Sequence, residues 1–231
     1  MSNTTNERTT RQATAKAVET QARLLASGIE LFSMRGFDAT GTRQVESAAG
    51  VQRNLINYHF GSKDEFWKRC MAALFARVED AIDLAVAQAR DIEPAERVRF
   101  LIRQYLRASA ANPEIMRVMF DEGRSDDWRL AWLVEHHVRR FYDTVARIFE
   151  SGHASGAVPD LSVVQFYYLL VSSASIFAMA PECRLLAGTD PLTPTMVDAQ
   201  VDAIATLLTT ATPPPTLPPT AVPPTAPGGR P

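Results

Sequence analysis

Cysteine is scarce in this 231-residue chain: Cys70 and Cys183 are the only two. They lie far apart in helical surroundings, which excludes a disulfide scaffold and predicts two buried, reduced thiols. Net charge is nearly absent as well, at −2, so no global basic character announces nucleic acid. Long apolar runs are missing: none reaches the ~18 residues of a membrane span, and the nearest, Gln165 to Pro181, is interrupted by Gln, Ser and Tyr. The polar start, MSNTTNERTTRQATAK, has no apolar segment of the kind a signal peptide needs. With these absences the reading is a cytoplasmic protein with no membrane partner. There is no glycine-rich phosphate loop and no serine in a nucleophile-elbow setting. Of the four histidines, only Glu150-Ser151-Gly152-His153 fits a Glu-x-x-His pair, and a di-iron bundle needs two. His136 and His137 are adjacent and diverge by about 100° on a helix, so they cannot chelate together. The expectation is therefore no enzyme, no metal and no cofactor.

What is present is helical periodicity from end to end. Hydrophobic residues make up 46% of the chain, enough for a sizeable core, and no strand alternation survives. The pattern predicts an all-α fold of about nine helices. Residues 1–15 read as a disordered arm whose Arg8 and Arg11 could follow a minor groove. Residues 16–65 read as a first domain, 66–210 as a larger helical domain, and 211–231 as a proline-rich disordered tail. From Pro213 onward, 9 of 19 residues are proline. Ala22, Leu25, Ile29 and Phe32 set the stripe of a first helix ending at Gly36. Ser62-x-x-Glu65 is a capping box opening a long fourth helix to about Ala89. Further starts are marked by Pro94, by Asn112-Pro113, by Asp126-Asp127 and by a position near Ser162. Pro181 should kink or stop the eighth helix, and a loop over Gly188 to Pro194 precedes the ninth. Charge is uneven: residues 1–63 carry 8 Lys and Arg against 5 Asp and Glu, the remainder 16 against 21.

The stretch Thr40 to Leu74 carries the most function. It reads as two short helices joined by a tight turn at Gly50, with Val45, Ala49, Val51 and Ile56 as the internal contacts of a helix-turn-helix. The second short helix, about Arg53 to Phe60, presents Arg53, Asn54, Asn57, Tyr58 and His59, side chains of the kind that meet base edges and phosphates.

Glu19 to Leu74 resembles the DNA-binding domain of the tetracycline-repressor (TetR) family. The resemblance rests on Gly36-Phe37, on Ala48-Ala49-Gly50-Val51, and on Asn57-Tyr58-His59-Phe60-Gly61-Ser62-Lys63, a run typical of one branch. It covers about a quarter of the chain. It implies DNA contacts from Thr42, Arg43, Gln52, Arg53, Asn54, Asn57, Tyr58, His59 and Lys63. Arg43 and Arg53 would reach bases or nearby phosphates, and the Asn57 amide suits a bidentate contact to adenine. Tyr58, His59 and Lys63 would grip phosphates. Three residues depart from the family pattern. Gln52 and Gly41 stand where Ser and Thr commonly cap helices. Glu46 stands where alanine usually packs between the two short helices, and it is expected to snorkel outward or to pair with Arg43 or Arg53.

The same resemblance implies a cavity for a small-molecule effector enclosed by helices 4 to 7, and a homodimer formed through the last two helices. The eighth helix, apolar nearly all round, independently asks for burial on more than one side. Met116, Met119, Phe120, His137, Phe141 and Tyr167 are the candidate cavity residues. The expected function is a ligand-responsive regulator, acting as a repressor on a palindromic double-stranded DNA operator. The alternatives are a constitutive DNA binder and a helical adaptor without DNA activity. The adaptor is favoured if Arg43, Arg53 and Lys63 are tied up in internal salt bridges.

Overall fold

A computed structural model describes residues 3–210, with side chains described from position 15 onward. The proline-rich tail lies outside these residues, as do the Arg8 and Arg11 side chains. Every element among the described residues is helical.

Helix α1 spans Asn3–Arg35. It thus includes most of the stretch expected to be a disordered arm. No glycine or proline occurs before Gly28 to stop it, and alanine with straight-chain polar residues favours helix from about Ala13 onward, although the Thr and Asn of the first turns are weak helix formers. Its buried stripe is Leu24, Gly28, Ile29 and Phe32, whereas Ala22 is exposed. Gly28 permits a close crossing with α4 (Lys63–Gln88). A Cβ there would lie 2.6 Å from both Cys70 Sγ and Phe66 Cζ. Helices α2 (Thr42–Ala48) and α3 (Leu55–Phe60) follow, with Gly50 between them in the left-handed region at φ 61°. Val45, Ala49 and Ile56 are buried between these helices, as their spacing required, and Val51 is partly so.

Ser62 caps α4 by accepting the Glu65 N–H at 3.1 Å. Only half of the expected capping box forms, because the Glu65 carboxylate turns to Lys68 at 2.8 Å. The N-terminal half of α4 (Phe66, Trp67, Cys70, Met71, Leu74, Phe75) packs into one core with α1 to α3. Ile82 enters a second core, while Leu84 is exposed. A single rigid helix therefore runs from the small head into the body.

The body contains α5 (Pro94–Ala111), α6 (Glu114–Glu122), α7 (Trp128–Leu133), α8 (Arg139–Ala154), α9 (Val163–Ser172), α10 (Ser175–Ala178), α11 (Ala180–Ala187) and α12 (Pro194–Leu207). Among the described residues the expected nine helices correspond to nine helical stretches, two of them interrupted. A π-helical turn, Val134–Val138, joins α7 to α8. The eighth stretch breaks into α9, α10 and α11, with Pro181 in the first turn of α11. Asp127 caps α7 through the N–H groups of Arg129 and Leu130 (2.8 and 3.4 Å), and Ser162 with Gln165 forms a full capping box on α9. The start expected at Asn112-Pro113 shifts by one residue: Pro113 is the cap of α6, and the Asn112 amide instead donates to the Ala108 carbonyl. Cys70 is buried and Cys183 only half-buried, so one of the two expected buried thiols is not.

Candidate nucleic-acid interface and buried cavity

The helix-turn-helix presents its polar residues outward. Arg43, Gln52, Arg53, Asn54, Asn57 and Tyr58 are exposed, Tyr58 to 79%. Thr42, His59 and Lys63 are half-buried. Helix α3 begins at Leu55, so Arg53 and Asn54 belong to the turn before it and not to the helix as expected. Asn54 takes a left-handed conformation, φ 68°, and its side-chain oxygen accepts from Asn57 Nδ2 at 2.9 Å. His59 Nδ1 meets Gln21 Nε2 at 3.3 Å, tying α3 to α1.

Left-handed Asn54 leaves α3 without a side-chain cap of its own. Glu46 supplies one from α2. It is only 3% exposed, and its Oε1 accepts the Ile56 N–H at 3.0 Å. The expectation that Glu46 snorkels or pairs with Arg43 or Arg53 is thereby corrected: the carboxylate sits at the positive end of α3 and satisfies one of its orphan N–H groups. Arg23 of α1 does the converse at the end of α2, donating from Nη2 to the carbonyls of Ala49 and Gly50 at 2.5 and 3.0 Å. Neither role was legible, because both depend on partners 10 to 27 residues away.

Lys63 points back into the protein. Its ammonium lies 4.0 Å from the centre of the Phe37 ring, and burial lowers its pKa against the opposing pull of Asp38 and Asp64. The other face of the joint is Arg129, whose guanidinium is 4.7 Å from the same ring. Arg129 bonds Glu122 at 2.8 Å and Asp127 at 2.8 Å, and approaches Asp38 at 3.9 Å. Burial pushes the Glu122 carboxyl above its ordinary range, and Arg129 pulls it partly back. Phe37, Trp67 and Trp128 meet edge-on at 5.5–6.1 Å. The head thus touches α6 and α7 directly, as well as through α4. Among the described residues, Arg43, Arg53 and Lys63 enter no ion pair, so the observation that would have favoured an adaptor is not met.

A cavity of about 470 Å³ opens between α4, α5, α6, the α7–α8 stretch and α9. All six sequence candidates, Met116, Met119, Phe120, His137, Phe141 and Tyr167, line it. Sequence reading named His137 of its polar wall but missed Glu79, Asp83 and Arg140. Glu79 and Asp83, one turn apart on α4, face His137 and Arg140 across the cavity edge. His137 stacks on Phe75 at 4.8 Å between ring centres, and the π-helical turn is what places it beside Glu79.

An exposed helix-turn-helix on a rigid helix that also walls a ligand-sized cavity defines a DNA-binding regulator of the ligand-responsive kind. The comparisons agree. Residues 24–70 match the family model described as bacterial regulatory proteins, tetR family, and residues 94–207 match that of a tetracyclin repressor-like C-terminal domain. The chain belongs to the TetR family. It is 25% identical over 193 residues to the HTH-type transcriptional repressor SCO4008 of Streptomyces coelicolor, covering 78% of this chain and 92% of that one. It is 24% identical over 166 residues to the HTH-type transcriptional repressor NicS of Pseudomonas putida, covering 70% and 76%. A bacterial regulatory protein of the TetR family from Rhodococcus RHA1 superposes with a TM-score of 0.62 at 20% identity, covering 83% and 98%. No single described helix is long and apolar enough to cross a membrane.

Proposed function

We propose that this regulator is a repressor that binds a palindromic operator as a homodimer and is released when a small molecule enters the cavity. Residues 16–65 would act as the reading head and 66–210 as the sensor and dimerisation body, in the cytoplasm and without catalysis. The observation that carries the DNA half is the row of exposed polar side chains along the turn and α3: Arg53, Asn57 and Tyr58, flanked by Arg43 and Gln52. Arg43 and Arg53 reach bases or adjacent phosphates, Asn57 reads adenine after releasing Asn54, and Tyr58 and His59 hold phosphates. Thr42, Gln52 and Asn54 complete the contact set. Lys63 contributes only if the phosphate draws it from Phe37.

The dimer half is supported by apolar side chains left in water on the last helices. Val164, Tyr168 and Leu169 on α9, Leu185 and Leu186 on α11, and Leu207 on α12 are 48–88% exposed. A second copy would cover them. Tyr168 also lines the cavity, so the same interface would lie next to a bound effector.

Binding to a preferred duplex and to random duplexes at two salt concentrations tests the reading. Asn57→Ala should cost roughly 1–3 kcal/mol on the preferred duplex and almost nothing on random DNA, whereas Arg43→Ala should also reduce the salt dependence by about one ion if it meets a phosphate. Equal losses on both DNAs for both variants would contradict the assignment.

A further inference from the structure

The charged groups around the cavity each have a partner in the protein. His137 Nδ1 and Glu79 Oε1 are 2.7 Å apart, Arg140 Nη2 is 2.5 Å from Asp83 Oδ2, and Arg140 Nη1 is 4.0 Å from Glu79 Oε2. Arg124, the other lining guanidinium, is bonded to Asp121 at 3.0 Å. Arg124, Arg140 and Asp83 are more than half exposed at the cavity mouth, so the pair that faces the enclosed space is His137 with Glu79. The rest of the wall is Phe, Tyr, Met and branched aliphatic residues, with Gly123, Thr144 and Ser172 as exceptions.

A charged ligand group entering this space has no free counter-ion. It either stays unpaired against apolar side chains, or takes a partner from an existing pair and leaves the other member uncompensated. Either route is unfavourable inside the cavity, because an unpaired charge away from water is far costlier than a neutral polar group. A neutral ligand takes neither. It gains the burial of its apolar surface, and its hydroxyl or carbonyl can meet Tyr167, which is buried at the wall, or His137 Nε2, which is buried there without a hydrogen-bond partner. Burial, with Tyr168 and Tyr142 nearby, pushes the Tyr167 pKa up to about 12, so that hydroxyl keeps its proton to donate. We propose that the cavity selects uncharged, largely apolar molecules carrying at most a neutral hydrogen-bonding group. This rests on the cavity being the effector site proposed above.

Fluorescence titration of the full-length protein with three dyes tests it: neutral Nile red, anionic 1-anilinonaphthalene-8-sulfonate and cationic thioflavin T. Nile red should bind at least about tenfold more tightly than either ion, and Met119→Trp should weaken it by a similar factor. Val171→Trp is a second filling variant should the first fail to fold, with folding judged by circular dichroism. Arg140→Met leaves an uncompensated carboxylate and should narrow the gap for thioflavin T but not for the anion. If either ionic dye binds as tightly as Nile red, and is expelled by the filling variants, the proposal is overturned while the effector-site reading stands. If no dye responds to either filling variant, the effector-site reading falls and the proposal with it.

Discussion

Replacing Glu46 by alanine, the residue usual in the family at this position, should destabilise this member. The carboxylate is 3% exposed and accepts the buried Ile56 N–H at 3.0 Å, while Asn54 offers α3 no side-chain cap. A hydrogen bond to a charged group contributes about 1.5–3 kcal/mol, and burial of the carboxylate without a cation offsets part of it. The net loss for Glu46→Ala is therefore about 1–2 kcal/mol, the usual value of a helix cap. Glu46→Gln keeps a carbonyl acceptor in nearly the same place and should lose less than half as much. Urea denaturation gives the global change, and amide hydrogen exchange localises it. A loss of ~1.4 kcal/mol confined to α3 lowers protection of the Ile56 amide about tenfold. Weaker DNA binding should accompany it, since a frayed α3 must be ordered again on the duplex. If Glu46→Ala is as stable as the parent and the Ile56 amide equally protected, Glu46 does not cap the recognition helix.

Gly28→Ala inserts a methyl group 2.6 Å from Cys70 Sγ and Phe66 Cζ, so thermal melting should report a loss of about 1–3 kcal/mol, and Cys70→Ala in the same chain should recover part of it. Arg129→Met strips the counter-ion from a Glu122 side chain that is 4% exposed, and should cost about 3–5 kcal/mol at neutral pH. Burial already holds the Glu122 carboxyl above its ordinary range, so its ionised form weighs against folding as pH rises. The deficit of Arg129→Met should therefore shrink as pH falls and Glu122 takes up a proton; a deficit independent of pH in denaturation series would show that the pair is not ionised. Phe37→Leu removes the ring held between Lys63 and Arg129, and should lower the factor by which a cavity ligand weakens DNA binding while leaving ligand affinity alone. An unchanged coupling factor would assign transmission to α4 alone.

Local rules were legible in the sequence where one residue and its near neighbours decide the outcome. Ser62, Asp127 and Ser162 cap helices where their side chains said they would, and Gly50 makes the left-handed turn. The six cavity candidates were readable because polarizable and aromatic residues on neighbouring amphipathic helices converge once those helices pack. Long-range partners were not. Glu79 and His137 are 58 residues apart and Asp83 and Arg140 are 57 apart; Glu79, Asp83 and Arg140 each alone read as a solvated surface charge. The π-helical turn at Val134–Val138 and the break after Ser172 leave no proline or glycine mark and were not read, whereas the second break of that stretch is marked by Pro181. The first fifteen residues misled for the opposite reason: without an apolar stripe they read as disordered, yet nothing in them stops the helix that α1 extends to Asn3.

The central claim is that two copies of this chain read DNA symmetrically through α3. Selection of bound duplexes from a random pool by the purified full-length protein tests it most directly. The account predicts enrichment of an inverted repeat whose half-sites are centred about one helical turn apart, ~34 Å, with preference relaxed at one base pair of each half-site in Asn57→Ala. Recovery of unrelated sequences, or of a single half-site without its inverted copy, would contradict it.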